Sequence, residues 1–320
     1  MSKTNTVALD KKASVKNKKS TLNRRYTVAG ILFALPWLIG FLIFQIYPIL
    51  SAIYQSFTEY NIFNAPKWVG LANYVELLHD KSVLKAFGNT LYMATIGLPT
   101  GLIVALLVAL LLNAKIKGLS LFRTIYYLPS VVPVVAAASV FIWILNPEYG
   151  LLAKALRPFG VVLPSFILNP KYTKLGLIIM DTWRCGQSAI IFLAALQNVP
   201  QSYYEASTLD GANVFERFFH ITLPSISPTI LFLFITGLIS TFQYFTQGFV
   251  FANVTNATQR QTGGPGNSLL FYSTYLYNNA FSYLRFGYAS ALAMVLLVVI
   301  IITTLISFKV SKNSVNYNLE

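Results

Sequence analysis

The groups able to do chemistry in this chain are few and unevenly placed. Glu205, Asp210, Glu216, Arg217 and His220 share one polar stretch between two long apolar runs. Asp181 and Arg184 lie inside an apolar run, where a charge is costly and faces protein or water. Histidine occurs only at positions 79 and 220 and cysteine only at 185, so no metal site of either kind is expected. Gly263-Gly264-Pro265-Gly266 lacks the Lys-Ser/Thr sequel of a phosphate-binding loop and reads as a turn. No other Walker A pattern occurs. An intramembrane aspartyl protease needs a second buried aspartate, and a serine protease needs a histidine at membrane depth. The chain is therefore not expected to be an enzyme or to hold a metal or cofactor of its own.

These groups must be positioned by apolar elements. Of the 320 residues, 55% are hydrophobic and only 11% charged, and the mean hydropathy is +0.60. Soluble domains carry about 25% charged residues. Six apolar runs, roughly 28–53, 91–112, 126–145, 175–197, 228–250 and 287–309, reach the approximately 20 residues that a helix needs to cross a bilayer. An isolated strand would leave backbone groups unpaired in hydrocarbon, so each run is expected to be helical. Pro36, Pro99, Pro129 and Pro133 fall in or beside these runs, predicting kinks or, in the third run, a late helix start. The first run is too long for a signal-peptide core and reads as a retained span.

The net charge of +14 is concentrated in the first 25 residues, a basic flank that suits a cytoplasmic membrane surface better than nucleic acid. With six spans, one side collects this tail, Lys115, Lys117, Arg123, Arg217, Lys309 and Lys312, fourteen basic residues in all. The other side collects nine. Both termini and the segment at 198–226 are thus expected in the cytoplasm, although four basic residues at 147–174 run against the bias. The expected divisions are a disordered tail at 1–26, a first span and outer loop at 27–87, a five-helix core at 88–310 and a C-terminal tail at 311–320. Outside, Trp68 to Tyr74 is expected at the membrane interface. Residues 268–285, with Leu269, Tyr272, Leu276, Asn279 and Tyr283 at helical spacing, read as a surface helix and not a seventh span.

Pro200 and the polar residues after it suit a helix start. Asp210-Gly211 suits its end, because glycine adopts the left-handed conformation without strain. A second short helix is expected from Asn213 to about Ile221, with Phe215, Phe218, Phe219 and Ile221 on its apolar side, stopping ahead of Pro224. Such a hairpin can rest its aromatic face on the bilayer or dock a soluble partner, and shape alone leaves the two readings level.

The residues Glu205-Ala206, Asp210-Gly211-Ala212, Phe218, Ile221 and Leu223-Pro224 resemble the cytoplasmic "EAA" loop of permease subunits of ATP-binding-cassette importers. Ser207 stands where a second alanine is usual and is small enough for the same packing. Lys117-Gly118, Phe122-Arg123-Thr124, Leu128-Pro129, Asn146-Pro147, Asn89-Thr90-Leu91 and Thr262-Gly263-Gly264-Pro265 extend the likeness to sugar-type permeases over about 45–305. The chain is similar to the larger maltose-permease subunit without its extra helices, and to glycerol-phosphate and oligosaccharide permeases.

The resemblance implies an all-α, six-span MetI-like core of the type I importer class, forming half of a carbohydrate path across the cell membrane. It implies a second permease subunit in a heterodimer, an ATPase dimer that holds ATP and Mg, and an extracytoplasmic solute-binding protein. In the coupling loop it implicates Glu205, Ala206, Ser207, Asp210, Gly211, Ala212, Phe218, Leu223 and Pro224. From their own chemistry, Asp181, Trp183, Arg184, Gln187, Gln243 and Tyr244 are candidates to line the path, since sugars favour aromatic faces and polar side chains. The same residues also suit a pair, Asp181 with Arg184 at i, i+3, or polar glue between helices. The alternative class is an ion-coupled carrier without an ATPase, for which more buried carboxylates and paired broken helices are expected.

Overall fold

The computed structural model describes residues 26–114, 118–255 and 263–311. The two terminal tails, Lys115, Lys117, Arg260, Thr262 and Lys312 lie outside these residues. The chain divides after Gln55 into two units. The first holds most of helix α1 (Tyr26–Ser56), an apolar helix whose most apolar stretch buries none of its residues within the protein.

In the second unit, a two-stranded antiparallel ribbon (β1, Thr58–Glu59; β2, Lys67–Trp68) precedes α2 (Ala72–His79) and the long α3 (Lys81–Leu112). Then come α4 (Leu119–Val131), α5 (Val134–Ile144), the short α6 (Leu151–Leu156), α7 (Thr173–Trp183) and α8 (Gly186–Gln197). A surface hairpin of α9 (Gln201–Leu209) and α10 (Val214–Ser225) leads into α11 (Ser227–Phe242) and α12 (Thr246–Thr255). The chain closes with α13 (Tyr272–Tyr277) and α14 (Phe286–Ser311). Three helices, α1, α3 and α14, are long and apolar enough to cross a membrane unaided, and the number rises to six if each of three bent helix pairs is one span.

The prolines act differently from simple kinks. At Pro48, Pro99 and Pro224 the helix runs on, and each is preceded by a wide π turn, Leu42–Ile46, Met93–Gly97 and Phe218–Thr222 respectively. A helical proline ring collides with the carbonyl four residues back. Those carbonyls belong to Phe44, Thr95 and His220, each inside its π turn, where the wider turn makes room. This corrects the expectation that the helix after Asn213 stops ahead of Pro224, since it continues to Ser225. Pro129 is carried inside α4, whereas at Pro133 the third run does break, bending by 98° between α4 and α5.

Buried side chains gather in three clusters. One joins α3, α5, α7 and α12 through Met93, Phe141, Leu177, Met180 and Phe251. A second joins α3, α11, α13 and α14 through Ala94, Phe242, Tyr272, Tyr288 and Leu292. The third sets the alanines of α3, Ala105 and Ala109, against Ala189 and Phe192 of α8. Those two helices make the most extensive contact of the molecule, as expected where small residues let backbones approach. Residues 268–285 are more deeply held than a surface helix. Leu269, Tyr272 and Asn279 are buried, and the regular helix spans only Tyr272–Tyr277 before a π turn.

Two polar hubs tie distant segments together. Asn89 of α3 donates to the carbonyls of Asn267 and Leu270 at 2.8 and 2.9 Å and accepts from Lys174 of α7 at 3.0 Å. The turn after Gly263 is thereby clamped to two helices. Asp80 caps α3 by accepting from the Ser82 amide at 2.8 Å, and its other oxygen accepts from Tyr275 and from Tyr288, the latter at 2.9 Å. Burial pushes the Asp80 carboxyl up, but the donors of Tyr275, Ser82 and Tyr288 prevail and hold it below the ordinary aspartate value. Burial and the Asp80 acceptor push the Tyr275 hydroxyl up to about 12.

Asp80→Asn is expected to destabilise the protein by roughly 1–3 kcal/mol, because charge-assisted bonds are lost and two part-buried hydroxyls are left with a poorer acceptor. A group with a lowered folded pKa contributes stability that is present above its unfolded value and lost as pH falls through the folded one. Thermal unfolding in detergent should therefore show a constant gap to wild type near neutral pH, shrinking on acidification below the aspartate range.

Candidate functional site

The hairpin at 201–225 is held by local bonds. Helix α9 ends in a Schellman motif: the Gly211 amide donates to Thr208 at 3.2 Å and the Ala212 amide to Ser207 at 2.9 Å, with Gly211 at φ +79. Asn213 then caps α10 in a reciprocal box. Its side chain accepts from the Glu216 amide at 2.9 Å, and its own amide donates to the Glu216 carboxylate at 2.7 Å. Arg217 donates to the Thr208 hydroxyl at 3.2 Å, and the Tyr204 and Thr222 hydroxyls meet at 3.0 Å. The two helices are therefore stapled across the turn.

This stapled hairpin presents an apolar outer surface. Leu209 is 90% exposed, Phe215 76%, Val214 70% and Phe219 57%, while Phe218 and Ile221 turn partly inward. The aromatic face expected for α10 is thus divided, with half packed and half displayed. Glu205, Ala206, Asp210 and Gly211 are exposed, and Ser207, Ala212, Leu223 and Pro224 are partly buried. Sequence reading missed the Asn213–Glu216 box, although an Asn followed three residues later by Glu is its ordinary signature.

The second site is a joint at which three helix breaks meet. Between α7 and α8 the chain bends by 48°, and Asp181 and Arg184 flank the end of α7. They are not paired with each other: the ion pair present among the described residues is Glu76–Arg285. Arg184 donates instead to the Val132 carbonyl at 3.2 Å, in the break between α4 and α5. Asp181 accepts from the Tyr244 hydroxyl at 2.7 Å, in the break between α11 and α12. Because the helix ends at Trp183, the two side chains serve different neighbours. Trp183 packs on Phe141 with ring centroids 5.3 Å apart and stays 44% exposed. Gln187 and Gln243 are exposed, whereas Tyr244 is buried against Phe271. The break at Gln243–Phe245 was not foreseen, since hydropathy treats 228–250 as one run.

The chain is thus a bundle of apolar helices, several of them broken, with a stapled hairpin between α8 and α11. Residues 97–312 match the family described as binding-protein-dependent transport system inner membrane component, and the chain belongs to that family. It is 38% identical over 304 residues to the probable ABC transporter permease protein YesP of Bacillus subtilis, covering 94% of this chain and 96% of that one. With the lactose transport system permease protein LacF of Rhizobium radiobacter it shares 34% identity, over 91% and 96% of the two chains. Among solved structures, a chain of a bacterial ABC transporter involved in the import of the acidic polysaccharide alginate superposes with a TM-score of 0.74. That pair shares 26% identity and covers 93% and 99% of the two chains. The family is one of transport subunits, not of enzymes.

Asn213→Ala is expected to cost the hairpin about 1 kcal/mol. Gly211→Asn should be tolerated, because asparagine visits the left-handed region, whereas Gly211→Pro forbids it. Amide hydrogen exchange over 201–225 should accelerate in the alanine and proline variants and stay near wild type in the asparagine variant.

Proposed function

We propose that this chain forms half of the translocation path of an ATP-driven importer for a saccharide, and that residues 201–225 receive the force of a separate ATPase subunit. The observation that carries the proposal is the stapled hairpin with Leu209, Val214, Phe215 and Phe219 displayed on it, in a chain of the binding-protein-dependent family. A lipid-resting hairpin needs no such internal fixing. A lever does, because a compliant one would dissipate the displacement it is meant to pass on.

On this reading a related permease completes the path, an ATPase dimer holds ATP and Mg, and a solute-binding protein delivers substrate on the far side. Both termini are cytoplasmic in that arrangement. Closure of the ATPase dimer around ATP moves the hairpin and favours the outward-open of two global states. The joint of Asp181, Arg184 and Tyr244, with Trp183, Gln187 and Gln243 around it, lies on the saccharide route. Broken helices at membrane depth are tolerated where they line a cavity or are buried in protein. The saccharide reading is supported by the names of LacF and of the alginate transporter.

Uptake of labelled lactose, maltotriose, arabinotriose and a uronic acid trimer should be measured in a strain lacking the chromosomal copy, complemented with this chain. Uptake of at least one sugar should require the ATPase subunit. Transport under an ion gradient without that subunit would establish the carrier alternative instead. Gly211→Pro is expected to abolish uptake while leaving membrane insertion intact. Glu205→Lys should reduce recovery of the ATPase on purification, since charge reversal at a docking site introduces repulsion. If Asp181→Asn, Arg184→Gln and the double variant all transport normally, the joint holds helices together and does nothing more.

A further inference from the structure

Away from both sites, the second unit contains a pocket of about 560 Å³ between the β1–β2 ribbon and the start of α14. Its walls are fixed by unusual means. Asn73 donates to the carbonyls of Ser56 and Thr58 at 2.9 and 3.0 Å, pinning one wall. The Gly287 amide donates to the Tyr60 carbonyl at 3.1 Å. A Cβ at Gly287 would run into the Thr58 carbonyl, so only glycine allows this approach. Leu284, in the wall, has φ +56, and Ile62, between the lining residues Asn61 and Phe63, has φ +66. Non-glycine residues in that region are strained, and a branched one especially so. Such strain persists where the surroundings over-determine it, and it clusters at binding sites.

The lining is of one chemical kind. Arg285 grips both oxygens of Glu76 at 2.6 Å and lies 4.5 Å over the Tyr288 ring. Tyr60 and Tyr283 add further rings, and neither of their hydroxyls nor the Glu59 carboxylate has a hydrogen bond or ion pair among the described residues. Charge balance decides between ligands. Glu76 is neutralised by Arg285 and Glu59 stays unpaired among the described residues, so the lining holds no free cation for an anionic ligand and its remaining carboxylate would repel one. Planar carboxylate and guanidinium groups suit vicinal hydroxyls, and exposed rings suit the C–H face of a sugar. The volume falls within the approximately 300–1,000 Å³ of small-molecule sites. A file of rings then leads inward from Tyr60 through Phe286, Phe281 and Tyr277 to Phe245, at successive centroid spacings of 6.1, 5.8, 4.9 and 5.0 Å. Phe245 adjoins Tyr244 of the joint.

We propose that this pocket is a saccharide-binding site, holding an uncharged sugar residue of the incoming chain before it reaches the joint. The assignment rests on the transport reading above. With the bent pair α10–α11 taken as one span, a single crossing separates α9 from residues 283–288, which puts the pocket on the face opposite the start of the hairpin, where the transport reading has substrate arrive.

Tyr283 is 60% exposed, so Tyr283→Ala leaves the fold in place, and Glu59→Gln changes charge with little change of shape. For the sugars of the uptake panel that wild type imports, both variants should raise the apparent KM roughly two- to tenfold. The maximal rate, the basal ATPase rate of the assembled transporter and its affinity for unliganded binding protein should be unchanged. Unchanged KM in both variants would overturn the site, as would a loss explained by weaker docking of the binding protein, while leaving the transport reading intact. If wild type imports none of the panel, the transport reading is the one in question. Saturation-transfer NMR of the assembled transporter in nanodiscs with maltotriose and the uronic acid trimer then tests the pocket directly. A maltotriose signal that Tyr283→Ala abolishes supports it, and no such signal, or a preference for the uronate, rejects it.

Discussion

The rest of this structure depends on how an apolar bundle tolerates broken helices. Each break frees carbonyls and amides that hydrocarbon cannot satisfy. Here the cost of one break is met by the chemistry of another. The Val132 carbonyl, released between α4 and α5, is taken up by Arg184 at the end of α7. The Tyr244 hydroxyl, in the gap between α11 and α12, is taken up by Asp181 on the same end of α7. Each of the two charges thus completes a bond to a different helix pair.

The hairpin at 201–225 shows the complementary strategy, in which exposed segments are made stiff without help from the bundle. Schellman motif, capping box, Tyr204–Thr222 and Arg217–Thr208 are all contacts within about twenty residues of sequence. A cluster of such bonds, each of modest net worth, leaves the apolar side chains free for an external surface. Loops that serve only as connectors are usually the mobile parts of a fold. This one spends its polar groups on itself.

Much of this was legible in the chain. Hydropathy located the long helices α1, α3 and α14 and the bent pairs α4–α5 and α7–α8, and Asp210-Gly211 announced the turn, because its physical cause is local. What stayed hidden is what depends on partners remote in sequence. Asp181 and Arg184 at i, i+3 predict a pair, and only the break at Trp183 sends them apart. Residues 228–250 read as one span, and nothing local marks Gln243 as the end of α11. The burial of Leu269 and Tyr272 follows from Asn89 and Thr90, which bind the carbonyls and amides of that stretch from about 180 residues away. The π turns were hidden for a different reason. A proline in an apolar run predicts a kink, yet widening the preceding turn removes the clash at Pro99 and Pro224 and lets the helix continue.

The hairpin and the joint are connected by a single element. Helix α11 leaves the hairpin at Ser227 after a 63° bend and ends at Phe242, one residue before the gap that holds Tyr244. Its 16 residues make a rod about 24 Å long, packed through Leu233 to the α3–α8 cluster and through Leu238 and Phe242 to α14. A rod has little freedom to absorb displacement along its axis, whereas the breaks at both its ends can change angle at small cost. If the hairpin receives force as proposed, movement of α9 and α10 would have a stiff route to the Tyr244–Asp181 bond, and through the end of α7 to Arg184 and the α4–α5 corner. In the importer proposed above, the two arrangements would differ chiefly at these joints. On this argument the positions of the breaks matter for transport as much as the residues that fill them.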